Sequence, residues 1–199
     1  MSSILYRYGC NFYINLTNRC PCNCTFCYRF IHDSIGDSDS LWLKEEPTAD
    51  EVMAAIAEAG VTASDNVVFC GFGEPTERID ALLETARMLK ERTGKKLRLD
   101  TNGLGSLING RDIIPDLAQV LDSISISLNA SSAEEYGELC KPEMGGEKAY
   151  AAILDFIRES KESIPSVAVS IVGGTISASA VKECKSMAES MGVKFRIRG

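Results

Sequence analysis

Four cysteines lie within eight residues of one another near the start of the chain. Cys20, Cys24 and Cys27 form a Cys-x3-Cys-x2-Cys pattern, and Cys22 lies inside the first interval. Thiolates at such short spacing suit a soft metal ion or an iron–sulfur cluster. A four-thiolate zinc site usually takes two separated cysteine pairs, and the sequence holds no second Cys-x-x-Cys. Three thiolates on a four-iron cluster leave one iron open for chemistry, whereas structural metal sites are closed.

Composition and charge narrow the classes of function. The chain has 199 residues, of which 45% are hydrophobic and 25% charged, as in an ordinary globular protein. Its net charge of -7 disfavours nonspecific binding to nucleic acid and to an anionic membrane surface. No apolar run approaches the ~20 residues of a membrane span, and we identify no signal peptide. Clustered cysteines without such a signal predict a protein of the reducing cytoplasm.

The hydrophobic pattern predicts strands that alternate with helices along the chain. Strands are predicted at 11–17, 66–70, 96–100, 123–128, 167–172 and 193–198. Helices are predicted at 48–59, 78–92, 113–120, 133–139, 147–161 and 178–191. This alternation predicts a parallel sheet with right-handed crossovers. Because a complete eight-stranded barrel usually takes about 250 residues, we predict one α/β domain over 1–199. Its fold is a partial (β/α)6 TIM-like barrel with a cluster-binding loop after strand 1, and a flat doubly wound sheet is the alternative.

Several predicted strands carry polar residues along one face. In 123–129 serine and asparagine alternate with isoleucine and leucine, and in 96–102 charged or amide side chains alternate with leucine and threonine. In 193–198 lysine and arginine alternate with apolar residues. The apolar faces must meet the helices, so the polar faces converge on a common concavity. A polar lining of this kind indicates a cleft that is wet or holds a ligand. A sheet that faces solvent without a ligand is the alternative interpretation.

The cysteine segment 17–28 resembles the signature of radical S-adenosylmethionine (radical SAM) enzymes. The resemblance implies that Cys20, Cys24 and Cys27 hold a [4Fe–4S] cluster whose fourth iron binds the amino and carboxylate groups of SAM. One electron then cleaves a carbon–sulfur bond, which gives methionine and a 5′-deoxyadenosyl radical that abstracts hydrogen. It also implies that Phe26, directly before the third cysteine, lies beside the adenine.

Three further segments follow the predicted strands in the order that the family shows. Gly71-Phe72-Gly73-Glu74-Pro75 resembles the Gly-Gly-Glu-Pro element that binds the SAM amino group, with one inserted phenylalanine. The segment 99–103 resembles one that contacts SAM in glycyl-radical activating enzymes, and 127–129 ends the strand that supplies ribose and carboxylate contacts. Arginine on the polar face of the last strand suits a carboxylate or phosphate. The predicted cofactor contacts are therefore Phe26, Gly71, Gly73, Glu74, Pro75, Asp100, Asn102, Ser127, Asn129 and Arg196.

Other residues receive more local predictions. Cys140 ends a predicted helix near the active edge and is our candidate catalytic residue, as a second hydrogen donor. Cys22 is interpreted as a spectator, with a role as an alternative ligand left open. Glu74 is expected to form structural hydrogen bonds or an ion pair with Arg98. The polar segment 31–46 is predicted to be a mobile loop.

A closer resemblance connects the segments 15–21, 110–115 and 125–130 with the small TatD-associated radical SAM proteins. Two other classes stay open at this point: an iron–sulfur electron carrier with Cys22 as fourth ligand, and a structural zinc protein. The substrate is open among a small anionic metabolite, a peptide and a partner enzyme. By analogy with the family, the expected electron donor is a flavodoxin or ferredoxin.

Overall fold

Seven strands form one sheet, and they lie side by side in the order in which the sequence presents them. The computed structural model describes residues 4–35, 38–62 and 65–199. The strands β1 to β7 are Leu5–Tyr8, Asn11–Ile14, Asn66–Phe69, Leu97–Thr101, Ser123–Ser127, Val167–Val172 and Lys194–Arg198. Strands β2 to β7 are parallel, and β1 pairs antiparallel with β2.

The unbroken strand order decides between the two predicted architectures. A doubly wound sheet reverses its strand order at a switch point, so that helices cover both faces. Here the order never reverses, so right-handed crossovers place the helices on one side of the sheet. In the described part of the chain β1 and β7 stay unpaired as edges. The partial-barrel prediction is confirmed, and the doubly wound alternative is excluded.

Seven helices connect and cover the strands. Helices α1 to α7 are Ala49–Glu58, Ile79–Thr93, Gly105–Asn109, Ile114–Val120, Ala133–Cys140, Gly146–Ser163 and Ala178–Ser190. A capping box begins α1, because Thr48 accepts from the Glu51 amide while the Glu51 carboxylate accepts from the Thr48 amide. Gly94 ends α2 in the left-handed conformation. Short 3-10 helices cover Tyr28–Phe30 and Pro75–Arg78.

Strand β1 and helix α3 are absent from the sequence prediction, and strand β2 is three residues shorter than predicted. Strand β1 forms a hairpin with β2 through Gly9 at φ 59°, and the short helix α3 follows β4. Strand β2 ends at Ile14 rather than at position 17. Beyond it the chain stays extended and pairs irregularly, since the Asn15 amide donates to the Ile4 carbonyl at 2.8 Å.

The strand register confirms the predicted separation of polar and apolar faces. Leu97, Leu99 and Ile126 are buried in the main hydrophobic core under the helices. On the opposite face, Asp100 stands level with Ser125. The predicted polar residues therefore share the concave face of the partial barrel.

The predicted mobile loop 31–46 contains a packed portion. Leu41 and Leu43 are buried, and the Asn15 side-chain amide donates to the Leu41 carbonyl at 2.7 Å. Asn18 donates to the Leu43 carbonyl at 2.8 Å and accepts from the Leu43 amide at 3.1 Å. Positions 36 and 37 lie outside the described residues, and the mobility of the loop stays a prediction.

Candidate cluster and cofactor site

The cysteine loop pairs with the end of α5 over several residues. The Thr25 amide donates to the Leu139 carbonyl at 2.9 Å, and the Glu143 amide donates to the Pro21 carbonyl at 2.9 Å. The Asn23 amide donates to the Cys140 carbonyl at 3.1 Å. These backbone hydrogen bonds fix the path of the loop independently of any bound group.

A second set of contacts joins the cysteine loop to the Gly71–Pro75 segment. The Gly73 amide donates to the Thr17 carbonyl at 3.0 Å, and the Glu74 amide donates to the Arg19 carbonyl at 2.8 Å. The Arg29 guanidinium donates to the carbonyls of Asn18 at 3.0 Å, Phe72 at 3.3 Å and Cys22 at 3.5 Å. One planar cation therefore ties three positions of two loops together.

We expect Arg29→Lys to weaken retention of a cluster by the loop. A lysine ammonium is a point charge that cannot satisfy three separated carbonyls, and each lost charge-assisted bond costs about 1.5–3 kcal/mol. We predict that iron leaves the reconstituted variant roughly tenfold faster when a chelator is added. Arg158→Lys, at an exposed arginine paired with Asp155, is the matched control. Equal rates of iron release from the two variants would show that Arg29 does not help to retain the cluster.

The surroundings of the loop raise the pKa of its four cysteine thiols and so favour their protonated form. Hydrogen bonding with Cys22 and burial raise the pKa of Cys20, and a hydrogen bond with Cys140 and burial raise that of Cys24. Burial raises the pKa of Cys27, against an opposing hydrogen bond from the Arg29 backbone. Thiolate is the form that binds metal, so loading this loop releases protons.

Cys22 and Cys140 are buried in the main hydrophobic core. Cys22 is 5% exposed and belongs to the main core, where its Sγ lies 3.7 Å from the Tyr136 hydroxyl. Cys140 is 1% exposed, and its Sγ accepts from the Asn129 side-chain amide at 3.8 Å. Cys20, Cys24 and Cys27 are all more exposed than these two. The three cysteines of the predicted ligand set are thus the accessible ones of the loop.

The glycines at 71 and 73 allow the chain to approach itself. A Cβ at Gly73 would lie 2.4 Å from the Thr17 carbonyl oxygen and 2.5 Å from that of Arg19. A Cβ at Gly71 would lie 2.0 Å from the buried side chain of Asn15. The missing side chains make room for the cysteine loop, which leaves the remaining backbone of the segment to face a ligand.

Glu74 holds the ends of two strands together. Its Oε1 accepts from the Thr76 amide at 3.2 Å and from the hydroxyls of Thr76 and Thr101 at 2.7 Å each. Its Oε2 accepts from the Asn102 amide at 2.7 Å. Burial raises the pKa of this carboxyl, and the four hydrogen bonds oppose the shift. The expected structural role is present as hydrogen bonds. The expected ion pair with Arg98 is wrong, because Arg98 pairs with Asp100 two residues along the same strand face.

Replacing Glu74 with glutamine tests this network. Both carboxylate oxygens of Glu74 accept hydrogen bonds, and glutamine replaces one of them with an NH2 group that cannot accept. At least one buried donor therefore loses its acceptor. We expect the free energy of unfolding to fall by about 1–3 kcal/mol. The exposed Glu84→Gln on α2 is the control and changes stability by less than about 0.5 kcal/mol. Thermal unfolding of both variants without added iron measures the difference, and equal midpoints would contradict it.

The predicted contacts after β4 and β5 converge on the cysteine loop. The Asn102 side-chain amide donates to Cys20 Sγ at 3.9 Å, and its carbonyl accepts from the Leu104 amide at 2.9 Å. Asn129 adopts φ 60°, a left-handed conformation that asparagine tolerates, and lies against Cys140. Phe26 packs at the margin of the core, and Pro75 is buried at the start of its 3-10 helix.

Two buried oxygens on the concave face have no hydrogen-bond partner among the described residues. They are Asn129 Oδ1, just beyond the end of β5, and Ser170 Oγ, inside the neighbouring strand β6. Leaving such atoms unpaired costs about 1–3 kcal/mol each, which indicates that a ligand or water completes the site. The sequence analysis missed Ser170. Its signal is one serine inside the otherwise apolar strand Val167–Val172.

Charged residues lie further down the same concave face. The Arg98 Nε lies 2.8 Å from Asp100 Oδ1, and burial raises the pKa of Asp100 although Arg98 opposes the shift. Arg196 is exposed and stands level with Ser170. Arg198 on β7 donates to the hydroxyl of Ser127 on β5 at 2.7 Å, so this hydrogen bond passes over β6. The predicted Ser127 and Arg196 thus border the concavity rather than the cysteine loop itself.

The donor set fits a multi-iron cluster better than a single ion. Across residues 4–35, 38–62 and 65–199, no three histidine, cysteine or acidic side chains surround one metal position. A cluster takes each thiolate at a different iron, so its ligands do not need to meet at a point. Three accessible thiols on one fixed loop, with two unpaired buried oxygens nearby, suit a cluster and an organic cofactor side by side.

Solved structures of similar fold are much longer than this chain. TYW1 with a lysine–pyruvate adduct bound aligns at TM-score 0.63 and 16% identity, over 96% of this chain and 65% of that one. Streptococcus suis SuiB bound to S-adenosylmethionine aligns at 0.63 and 15%, over 93% and 37%. Methylornithine synthase (PylB) aligns at 0.62 and 16%, over 93% and 51%. The chain thus spans less than two thirds of each.

Sequence comparison supplies the family. Among curated proteins none matches the chain. In the described residues no helix has the length and apolar character to cross a bilayer. The family model of the radical SAM superfamily matches residues 14–185, which include the cysteine loop and β3 to β6. The protein belongs to the radical SAM superfamily, whose enzymes use a [4Fe–4S] cluster and S-adenosylmethionine.

Proposed function

We propose that this enzyme cleaves SAM reductively and uses the resulting 5′-deoxyadenosyl radical to abstract hydrogen from a substrate inside the partial barrel. One observation carries the proposal: the three accessible cysteines share one edge of the sheet with Asn102, Asn129 and the buried Glu74. Parallel α/β proteins build active sites at this edge from strand ends that are distant in sequence.

Cys20, Cys24 and Cys27 are the proposed cluster ligands. When bound there, the cluster passes one electron to SAM and so supplies the radical. The protein holds the loop by backbone pairing to α5 and by Arg29, which fixes the spacing of the three thiols. Three accessible thiols on this loop, with Cys22 buried, favour a cluster with one open position over a closed four-thiolate site.

The SAM contacts are proposed for residues at four strand ends. Backbone groups of the Gly71–Pro75 segment accept the SAM amino group, and Glu74 positions that segment from beneath. Asn102, Ser127 and Asn129 bind ribose and carboxylate oxygens, and Ser170 joins them because its buried hydroxyl oxygen has no partner among the described residues. Phe26 covers the adenine. Asp100 and Arg196 border the site and balance charge at its margin.

Cys140 receives a positioning role in this proposal rather than the hydrogen-donor role expected from sequence. Its thiol is buried against Cys24 and Asn129, a location that supports fixing a cluster ligand. A donor must reach the substrate radical, and a thiol that is 1% exposed meets that need poorly.

The substrate is proposed to be a small molecule rather than a peptide, a partner enzyme or nucleic acid. Support comes from an open cavity on the concave face, of about 380 Å³, which has the size of a small-ligand site. A one-electron protein donor such as a flavodoxin or ferredoxin completes the reaction, in line with the predicted cytoplasmic location.

The test is formation of 5′-deoxyadenosine. The protein is purified anaerobically, reconstituted with iron and sulfide, reduced and incubated with SAM. We expect 5′-deoxyadenosine and methionine in equal amounts, with none in samples that lack reductant. A fully loaded, fully reduced protein that leaves SAM intact would refute the proposal.

A further inference from the structure

The cavity on the concave face combines aromatic rings with one arginine, Arg198. It lies between the two edge strands, since Tyr6 of β1 and Arg198 of β7 both line it. Tyr13, Tyr28, Cys70 and Asp100 complete the part of the lining that matters here. Its volume of about 380 Å³ lies in the range of small-ligand pockets.

One wall of the cavity is a rigid aromatic surface. The rings of Tyr6 and Tyr13 stack with centroids 5.1 Å apart and planes 16° apart. Tyr6 is 2% exposed, and its hydroxyl donates to the Cys70 carbonyl at 3.3 Å. The buried ring of Tyr6 holds the more accessible ring of Tyr13 in place on the cavity wall. A flat ligand ring gains more from an aromatic wall of this kind than an aliphatic ring of the same size does.

The two charged residues of the cavity lining, Asp100 and Arg198, have different partners. Asp100 is paired with Arg98 at 2.8 Å, and Arg198 donates to a neutral hydroxyl, that of Ser127. Glu74, another buried carboxylate at this edge of the sheet, is satisfied by its own four hydrogen bonds. The guanidinium of Arg198 is therefore the group that an anion can reach.

We propose that this cavity is the substrate pocket and that it selects a small aromatic carboxylate, with its ring on Tyr13 and its carboxylate on Arg198. The proposal rests on the proposed function, because the pocket is taken to serve the radical formed at the same strand edge. Arginine binds carboxylates in planar, two-bond geometry, which suits a ligand whose ring is already oriented by stacking.

Four matched probes test the proposal: phenylacetate, phenylacetamide, phenethylamine and cyclohexylacetate. Their dissociation constants are measured by calorimetry on the reconstituted protein saturated with SAM. We expect phenylacetate to bind at least about tenfold more tightly than the amide and the amine, because one charge-assisted pair contributes about 1.5–3 kcal/mol. We expect it to bind several-fold more tightly than cyclohexylacetate, which cannot stack.

Two variants assign the effect to residues. Arg198→Gln should bind phenylacetate and phenylacetamide equally, whereas Arg158→Gln on the exposed face of α6 should behave as wild type. Tyr13→Leu should bind phenylacetate and cyclohexylacetate equally. Tightest binding of phenethylamine would instead identify a cation site on Asp100 and overturn the proposal. Equal or undetectable binding of all four probes would overturn it as well, and so would competition between phenylacetate and SAM.

The same preparations separate this proposal from the proposed function. SAM cleavage without discrimination among the probes would reject the substrate class alone. Discrimination among the probes without SAM cleavage would keep the pocket and reject the proposed function.

Discussion

Single replacement of Cys20, Cys24 or Cys27 with alanine is expected to abolish cluster binding and SAM cleavage. Each removes one of the three proposed ligands, and the fourth thiol of the loop, Cys22, is buried and poorly placed to replace it. We predict a loss of more than about 100-fold in 5′-deoxyadenosine formation, beyond the 10–100-fold typical of residues that only support a ligand. Iron content and product formation are measured on the same reconstituted samples.

Cys22→Ala is the matched control in the same loop. Its thiol lies in the core beside Tyr136, so its loss costs about 1 kcal/mol of packing and leaves the cluster in place. A Cys22→Ala protein that binds no iron, beside a Cys24→Ala protein that does, would show that the ligand set is wrong.

Gly73→Ala is expected to displace the cysteine loop although it changes no ligand. The new Cβ would lie 2.4 Å and 2.5 Å from two backbone oxygens. Because both contacts are with backbone atoms, no side-chain rotation can relieve the clash. The loop must move away, and the hydrogen bonds from Gly73 to Thr17 and from Glu74 to Arg19 are lost. We predict about 1–3 kcal/mol of lost stability and little retained iron.

Gly94→Ala separates this effect from a general loss of glycine. Gly94 ends α2 at φ 63° with nothing within 4 Å of its Cβ position, so alanine there costs about 1 kcal/mol of backbone strain. Its iron content should match wild type in the reconstitution assay. If Gly73→Ala also retains wild-type iron content, the packing of the two loops does not control the cluster.

Local periodicity predicted the parallel sheet, and local spacing indicated the cysteine loop as the candidate cluster site. The cysteine pattern depends on neighbouring residues, and alternation along 97–101 and 123–127 shows which face is buried. Strand β1 escaped prediction because its buried and exposed residues do not alternate, and its stability depends on pairing with β2.

The sequence pattern could not predict contacts between residues that are distant in the sequence. The pairing of the cysteine loop with 139–143 joins segments that no local signal connects. Arg98 was expected to meet Glu74, yet the fold encloses Glu74 among its own donors and leaves Asp100 as the nearest carboxylate. Ser170 became visible as a site residue only when its burial and unpaired oxygen were known.

The central claim is that SAM binds an open position of a cluster held by three cysteines. Electron paramagnetic resonance of the reduced, reconstituted protein before and after addition of SAM tests it most directly. The account predicts a [4Fe–4S] signal that changes on SAM addition in wild type and in Cys22→Ala alike. A cluster signal that is indifferent to SAM, and that disappears in Cys22→Ala, would identify a four-cysteine electron carrier and contradict the account.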